Sequence, residues 1–305
     1  MTQLDAVTGA FSYSGAAIAR ALDEAGHRVR TLTGHQERAT GDIEVRPLDF
    51  TDPARLEASL AGVHTLYNTY WVRFSRGANT HAQAVANSRV LFDAARRAGV
   101  RRVVHVSITH ADASSPYPYF KGKAEVEAHL KDSGIRYAIL RPAVLFGGDG
   151  VLINNIAWLL RHLPVFAIGG SGDYRLRPIH IDDLASLCVA QGAASENVTV
   201  DAVGPESLTF REMVIAIRAA VGSRALIVPV PGWLLTHMSA ALGVVLRDVL
   251  LTPDEYRAMA AGLADSDAPA AGKTRLTDWV TQHRDDLGRR YANELDRHFR
   301  VSERG

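Results

Sequence analysis

A short apolar run, Leu4–Thr8, passes directly into Gly9 and reaches a second glycine, Gly15, at the start of a helical pattern. Strand, glycine turn and helix in that order constrain the chain more than any other feature. They demand a tight backbone reversal that brings a helix N-terminus to the carboxyl end of a strand. The alternation then continues. Strand-like runs at residues 28–33, 43–48, 63–68, 102–108 and 135–140 are separated by helical periodicity at 14–25, 53–60, 80–98 and 118–133. The first helix sets Ile18, Leu22 and Ala25 on one stripe and stops at Gly26, and the third stops at Gly99. Six strands with helical crossovers predict an α/β fold, a doubly wound parallel sheet of Rossmann type.

Composition excludes several alternatives. A chain of 305 residues that is 47 % hydrophobic can bury one large or two modest cores, unlike disordered, collagenous or disulfide-stapled chains. Its 34 Lys+Arg and 33 Asp+Glu leave a formal charge of +1, so net charge offers no reason to expect nucleic acid or an anionic membrane as the main partner. Net charge says nothing of local patches. A single cysteine, Cys188, and no Cys/His pair at zinc spacing predict a reducing, cytoplasmic setting and no metal. Residues 1–22 do not read as a leader, because Asp5 interrupts the apolar run one would need. The best candidate for a membrane span, residues 233–251, contains His237, Arg247 and Asp248. It reads as an amphipathic helix of a soluble domain, with peripheral membrane contact the lesser reading.

Beyond about residue 150 the alternation gives way to a helix-rich stretch at 152–162 and a turn, Gly169-Gly170-Ser171-Gly172. Two regions are expected: a dinucleotide-binding domain over 1–150 and a smaller, mostly helical substrate or lid region over 151–305. A segment near 177–203 is expected to return to the first core. Leu287, Tyr291, Leu295 and Phe299, four residues apart, predict a C-terminal amphipathic helix, and 264–272 predicts a mobile loop.

The turn Thr8-Gly9-Ala10-Phe11-Ser12-Tyr13-Ser14-Gly15 suits a pyrophosphate. Gly9 allows the reversal, Gly15 the close helix–strand approach, and the N–H groups at the helix start receive the anion. Thr8, Phe11, Ser12, Tyr13 and Ser14 are therefore candidate cofactor residues, with Ser12 bringing either a hydroxyl for the phosphate or a β-carbon that crowds it. The second strand ends without a carboxylate at Thr33, and His35 and Arg38 follow, which favours the 2′-phosphate of NADP(H) over NAD(H).

Tyr119 and Lys123 stand four apart on one face of a helix introduced by Pro116 and Pro118. A cation near a phenol favours the phenolate, so Lys123 would bring Tyr119 toward proton exchange with an alcohol or carbonyl, and would also hold the nicotinamide ribose. Ser107 and Thr109, alternating at the end of a buried strand, offer a hydroxyl to orient the carbonyl oxygen, and the choice between them stays open. Trp71, Phe74 and Phe146 are expected to line the substrate. His105 reads as a core histidine, and His180 with Asp182 and Asp183 as a structural strand and helix start in which Asp182 is an N-cap.

Together the glycine turn, the Ser/Thr strand end, Tyr119 with Lys123, the segment from Ser133 to Pro142 and that from Arg177 to Asp183 resemble the short-chain dehydrogenase/reductase superfamily. The likeness is to its extended or atypical branch, with NmrA-like proteins and the nucleotide-binding accessory subunit of respiratory complex I. It covers nearly the whole chain and is strongest over residues 4–185. The resemblance implies that Asp49 and Phe50 border the adenine, Asn68 and Thr69 line the cofactor, and Pro142, Ala143 and Val144 face the nicotinamide amide. It further implies an NADP(H)-dependent oxidoreductase that moves hydride between nicotinamide and a small carbonyl or alcohol, with Tyr119 as acid/base. Two alternatives follow from the same likeness. One is an epimerase or dehydratase, needing a cationic diphosphate subsite for which Arg161, Arg175, Arg177 and Arg211 are available. The other is a non-catalytic nucleotide-binding sensor or assembly protein. Ser12 and Tyr67-Asn68-Thr69-Tyr70 depart from the usual small-residue pattern. Monomer and homodimer stay equally open.

Overall fold

The computed structural model describes residues 3–38, 43–77 and 79–295, apart from the side chain of Arg38. In chain order its elements are β1 (Leu4–Thr8), α1 (Tyr13–Glu24), β2 (Arg28–Thr33), β3 (Glu44–Pro47), α2 (Pro53–Ser59), β4 (Thr65–Asn68), α3 (His81–Arg97), β5 (Arg102–Val106), α4 (Pro118–Asp132) and β6 (Arg136–Pro142). There follow β7 (Val144–Phe146), α5 (Val151–His162), β8 (Val165–Gly169), β9 (Arg175–Leu176), β10 (Pro178–His180), α6 (Ile181–Ala193) and β11 (Val198–Ala202). The last are β12 (Leu208–Thr209), α7 (Phe210–Ala220), β13 (Leu226–Val230), α8 (Gly232–Leu246), α9 (Pro253–Ala260) and α10 (Leu276–Gln282). Local chemistry sets many boundaries. Asp52 accepts from Arg55 N at 3.0 Å ahead of Pro53, and Thr80 accepts from Gln83 N at 3.1 Å, so α2 and α3 start at capped ends. Thr209 and Thr252 open α7 and α9 with full capping boxes.

The chain forms two compact units, one of residues 1–142 and 181–203, the other of 143–180 and 204–305. In the first, seven strands lie in the order β11-β6-β5-β4-β1-β2-β3, all parallel. The order reverses between β1 and β4, the switch point at which a doubly wound sheet opens a crevice at its strand carboxyl ends. Six strands are predicted from the sequence pattern, and the seventh, β11, pairs with β6 from Val198↔Ala138 to Ala202↔Pro142. Fully buried Leu32, Leu66, Leu91, Phe92, Val103 and Ile139 fill the core around this sheet. Helices α1 and α6 are joined by an ion pair, Arg20 to Asp182, at 2.5 Å. Asp182 is not the N-cap expected: α6 already begins at Ile181, which puts Asp182 and Asp183 in the first turn, where the helix dipole favours acids.

A buried polar chain ties the carboxyl ends of β1, β4 and β5. The Thr8 hydroxyl donates to Asn68 Oδ1 at 3.2 Å and accepts from Thr69 N at 2.8 Å. Asn68 Oδ1 also accepts from Tyr70 N, and its amide nitrogen reaches His105 Nδ1 at 3.0 Å. Burial holds the His105 imidazole well below its ordinary pKa, so it is neutral and serves the core.

The second unit is built on α5, α7 and α10 with three two-stranded ladders, β8 with β13, β7 with β10 and β9 with β12. Three expectations fail here. No helix runs through Leu287 and Tyr291, because Gly288 takes φ +70° and a β-carbon on it would lie 2.5 Å from the backbone of Ala157; Phe299 falls outside the described residues. The stretch 264–272 is tethered, since Arg177 N donates to Ala264 O and its guanidinium to the carbonyls of Ser266 and Ala268, each at 2.6 Å. The run 233–251 is not one amphipathic helix: α8 ends at Arg247, φ +52°, and of its fifteen residues only Gly243 is buried.

Replacing Asn68 with Ala would leave His105 Nδ1 buried without its partner and the Thr8 hydroxyl with only the Tyr67 carbonyl as an acceptor, 3.5 Å away. The expected loss is about 1–3 kcal/mol of unfolding free energy, read as a lower urea midpoint with unchanged slope.

Candidate functional site

At the switch point the turn after β1 is shaped by backbone. Gly9 adopts φ +66° and donates to Leu32 O at 2.9 Å, while Ala10 N donates to the Thr31 hydroxyl. A β-carbon on Gly15 would stand 2.1 Å from the Gly9 carbonyl oxygen, so only glycine lets α1 settle this close to β1. The N–H groups of the first turn of α1 lack carbonyls one turn back and face the crevice end of the helix, where an anion is favoured. A diphosphate fits this cradle. Ser12 neither reaches outward nor caps the helix: its hydroxyl donates back to Gly9 O at 2.6 Å, which folds the side chain against the turn. Phe11, Tyr13 and Ser14 stand beside it at the start of α1.

At the end of β2, buried Thr33 accepts from His35 N at 3.0 Å, and His35 Nδ1 stands 3.1 Å from Glu37 on a single 3-10 turn, 36–38. The Arg38 side chain lies outside the described part. Past β3, Asp49 accepts from both N and Oγ1 of Thr51, which holds its carboxyl below the usual range, and Phe50 packs on Tyr70 with ring centroids 4.7 Å apart. Asn68 is fully buried and its side chain is spent on Thr8 and His105, so it braces the strand ends and does not face a ligand. Thr69 is half-buried, its hydroxyl donating to Thr8 O at 2.7 Å. Pro142 closes β6 in the first unit, whereas Ala143 and Val144 belong to the second.

Helix α4 carries the candidate chemistry. Tyr119 is half-buried against Trp71, His81 and Phe120, with ring centroids 5.6–5.8 Å away and the first two edge-on. Lys123 is buried at 3 % exposure, donates to Val106 O at 2.9 Å and places its ammonium 4.6 Å above the Trp71 ring. Burial pushes Lys123 down to about 7, with Glu127 one turn on pulling the other way. The ammonium is thus engaged by a carbonyl and an indole. Trp71 is wedged onto α4 because Gly122 leaves room: a β-carbon there would meet the indole at 3.1 Å. Its own Nε1 is buried without a partner.

The structure also corrects the hydroxyl assignment. Ser107 is buried and donates to Glu127 Oε1 at 2.5 Å, and Thr109 has no exposed surface. Neither presents a donor at the crevice. Glu127 was missed by sequence reasoning. It lies 2 % exposed, bound by Arg141 through two hydrogen bonds at 2.9 and 2.5 Å, and it holds Ser107 and the Lys123 face of α4 in place. The signal was the four-residue step Tyr119, Lys123, Glu127, which sets all three on one helix face. Phe146 is no substrate-lining residue. It is fully buried between His180 and Trp279 in the second unit's core. Phe74 is half-buried beside the Arg73 guanidinium. Three of the four arginines considered for a diphosphate subsite are engaged elsewhere: Arg161 donates to the carbonyls of Val221, Arg284 and Leu287, Arg175 to Ser207, and Arg177 to Gly204, Ser266 and Ala268.

A parallel, doubly wound sheet that opens at its switch point onto a glycine turn and a helix N-terminus defines a dinucleotide-binding Rossmann protein. Residues 9–156, just under half of the chain, match the model of an NAD(P)H-binding family. Quinone oxidoreductase 2 of Escherichia coli is 29 % identical over 198 residues, 64 % of this chain and 65 % of that protein. The mitochondrial NADH dehydrogenase (ubiquinone) 1 alpha subcomplex subunit 9 of Arabidopsis thaliana is 25 % identical over 118 residues, 38 % of this chain and 29 % of its own length. The chain thus spans about a third of the first curated relatives it matches, 31 % and 29 %. Among solved structures, a Citrobacter sp. triphenylmethane reductase complexed with NADP(H) shares the fold at a TM-score of 0.76 and 21 % identity, over 92 % of this chain and 99 % of that one.

Two outcomes test this geometry. Gly15→Ala should cost roughly 1–3 kcal/mol and abolish the rise in melting temperature produced by NADPH, because the new methyl group meets backbone. Lys123→Met should stabilise the protein by roughly 1–3 kcal/mol at neutral pH. The sign follows from proton linkage: between about 7 and the ordinary lysine value of 10.5 the unfolded chain binds more protons than the native one, so native stability rises with pH. The gain from Lys123→Met should therefore shrink as pH is raised, in melting curves taken from neutral to alkaline buffer.

Proposed function

We propose that the protein is an NADP(H)-dependent reductase of a flat, conjugated acceptor such as a quinone, with Tyr119 supplying a proton. The observation that carries this reading is the aromatic wall around Tyr119. Trp71 and His81 are stacked at 6.2 Å with 12° between their planes, and Tyr119 meets both edge-on. A wall of rings favours a ligand with its own π faces. The turn from Gly9 to Gly15 would hold the pyrophosphate, and His35 and Arg38, the bases nearest the end of β2, would take the 2′-phosphate. NADP(H), when bound, supplies or accepts hydride at the nicotinamide. Of Ser107, Thr109, Tyr119 and Lys123, only Tyr119 keeps surface for a substrate, so the proton that accompanies reduction would come from its phenol. Lys123 fixes Trp71 from beneath and is a positioning residue here. Likeness to a quinone oxidoreductase and a dye reductase supports the acceptor class.

One observation favours a second reading, a nucleotide-binding protein without turnover: the Lys123 ammonium is committed to Val106 O and the indole. The two readings separate in one assay. Loss of reduced-nicotinamide absorbance with menadione or a benzoquinone is expected, faster with NADPH than with NADH. Tyr119→Phe should lower kcat by about 10²-fold or more while the KM for NADPH stays within about twofold. An unchanged kcat would remove the phenol from the mechanism. A melting shift with NADPH but no turnover over quinones, dyes and simple carbonyls would establish the binding protein instead.

A further inference from the structure

Between Arg224 and Arg247 the chain runs through twenty-two residues, 225–246, without a lysine, arginine, aspartate or glutamate. Six of the ten large hydrophobic residues exposed among the described residues fall inside this run: Leu226, Val228, Trp233, Met238, Val244 and Val245. Most belong to α8. A helix that is apolar all round is normally enclosed, in a core or in lipid, yet here Trp233 is 66 % exposed and Val244 and Val245 are 79 % and 76 % exposed. Two of its polar side chains bond to the helix itself, Thr236 Oγ1 and His237 Nδ1 both hydrogen-bonding to the Trp233 carbonyl. At 15 residues the helix is about 22 Å long, short of the ~30 Å hydrocarbon core of a bilayer.

We infer that α8, with β13 before it, docks the protein onto the surface of an anionic membrane. The two exposed arginines that bound the run decide between occupants. Neither Arg224 nor Arg247 makes an ion pair among the described residues, and the acid that follows Arg247 in sequence, Asp248, is buried and bound to the Tyr291 hydroxyl and the N–H groups of Glu294 and Leu295. A second copy would bring the same apolar face and the same arginines, with no carboxylate on the run to meet them. Phosphate headgroups meet both needs: they pair the guanidinium groups, while the acyl boundary takes Trp233, Met238, Val244 and Val245. The helix lies on the membrane and does not cross it. This inference stands apart from the chemistry proposed for Tyr119.

Flotation of the full chain with vesicles tests it, one set of phosphatidylcholine alone and one mixed with phosphatidylglycerol. The protein should float with the mixed vesicles and much less with the zwitterionic set. Val244→Glu with Val245→Glu, both at exposed positions, should cut the bound fraction at least about tenfold, and Ile215→Glu on α7 should leave it unchanged. Arg224→Ala and Arg247→Ala should each weaken binding to the mixed vesicles by about fivefold, and added salt should do the same. Protein that stays at the bottom with both vesicle sets overturns the inference. So does a concentration-dependent dimer in sedimentation that the Val244/Val245 double variant dissolves, since the face would then belong to a second copy.

Discussion

Everything at the cofactor end hangs on the absence of one carbon. With no side chain on Gly15, the first turn of α1 rests on the carbonyl of Gly9, and the helix axis is aimed at the carboxyl end of β1. That contact fixes where the helix dipole ends, and hence where a diphosphate is stabilised. The buried chain from Thr8 through Asn68 to His105 then locks the neighbouring strand ends at the same level. One contact is steric and the other polar. Together they make the crevice a rigid feature of the sheet.

Helix α4 shows how an ion can be kept in a core. Buried Lys123 and Glu127 and half-buried Arg141 form a group in which two basic side chains flank one carboxylate, and the hydroxyl of Ser107 completes the set. The Coulombic gain offsets a large desolvation cost only because Glu127 is bound by Arg141 with two hydrogen bonds. Lys123 lies outside that pair, and burial pushes it down to about 7.

Much of the first unit was legible in the sequence because strands buried on both faces and helices with one apolar stripe leave different periods. Boundaries were legible where capping chemistry is local, as at Asp52 and Thr80. β11 escaped because Val198-Thr199-Val200-Asp201 has neither the length nor the apolar continuity of a central strand, and only its pairing with β6 reveals it. At the site, residue type and spacing located Tyr119, Lys123 and the glycine turn, but they carried no information on which way a side chain turns. Ser107 facing Glu127, Asn68 facing His105 and Ser12 folding onto Gly9 are decisions of packing. Phe146 was misread for a similar reason: an aromatic beyond a strand end suits a pocket wall and a core equally well. The supposed loop at 264–272 was composed like a loop but is held by the distant Arg177.

Val198 of β11 lies beside Ala138 of β6, although the chain departs into the second unit after Pro142 and comes back only at Ile181. The order of synthesis therefore differs from the order of the sheet. As the chain emerges, β6 is available long before its outer neighbour, and until about residue 203 has been made it presents a bare row of N–H and C=O groups beside apolar side chains. Closing that gap requires a contact of large sequence separation, the slow kind. No single cut frees the first unit either: a chain shortened at Pro142 would keep the glycine turn and Tyr119 yet expose a strand edge. Its nucleotide site and its resistance to aggregation are thus encoded in segments that a linear division of the gene would separate.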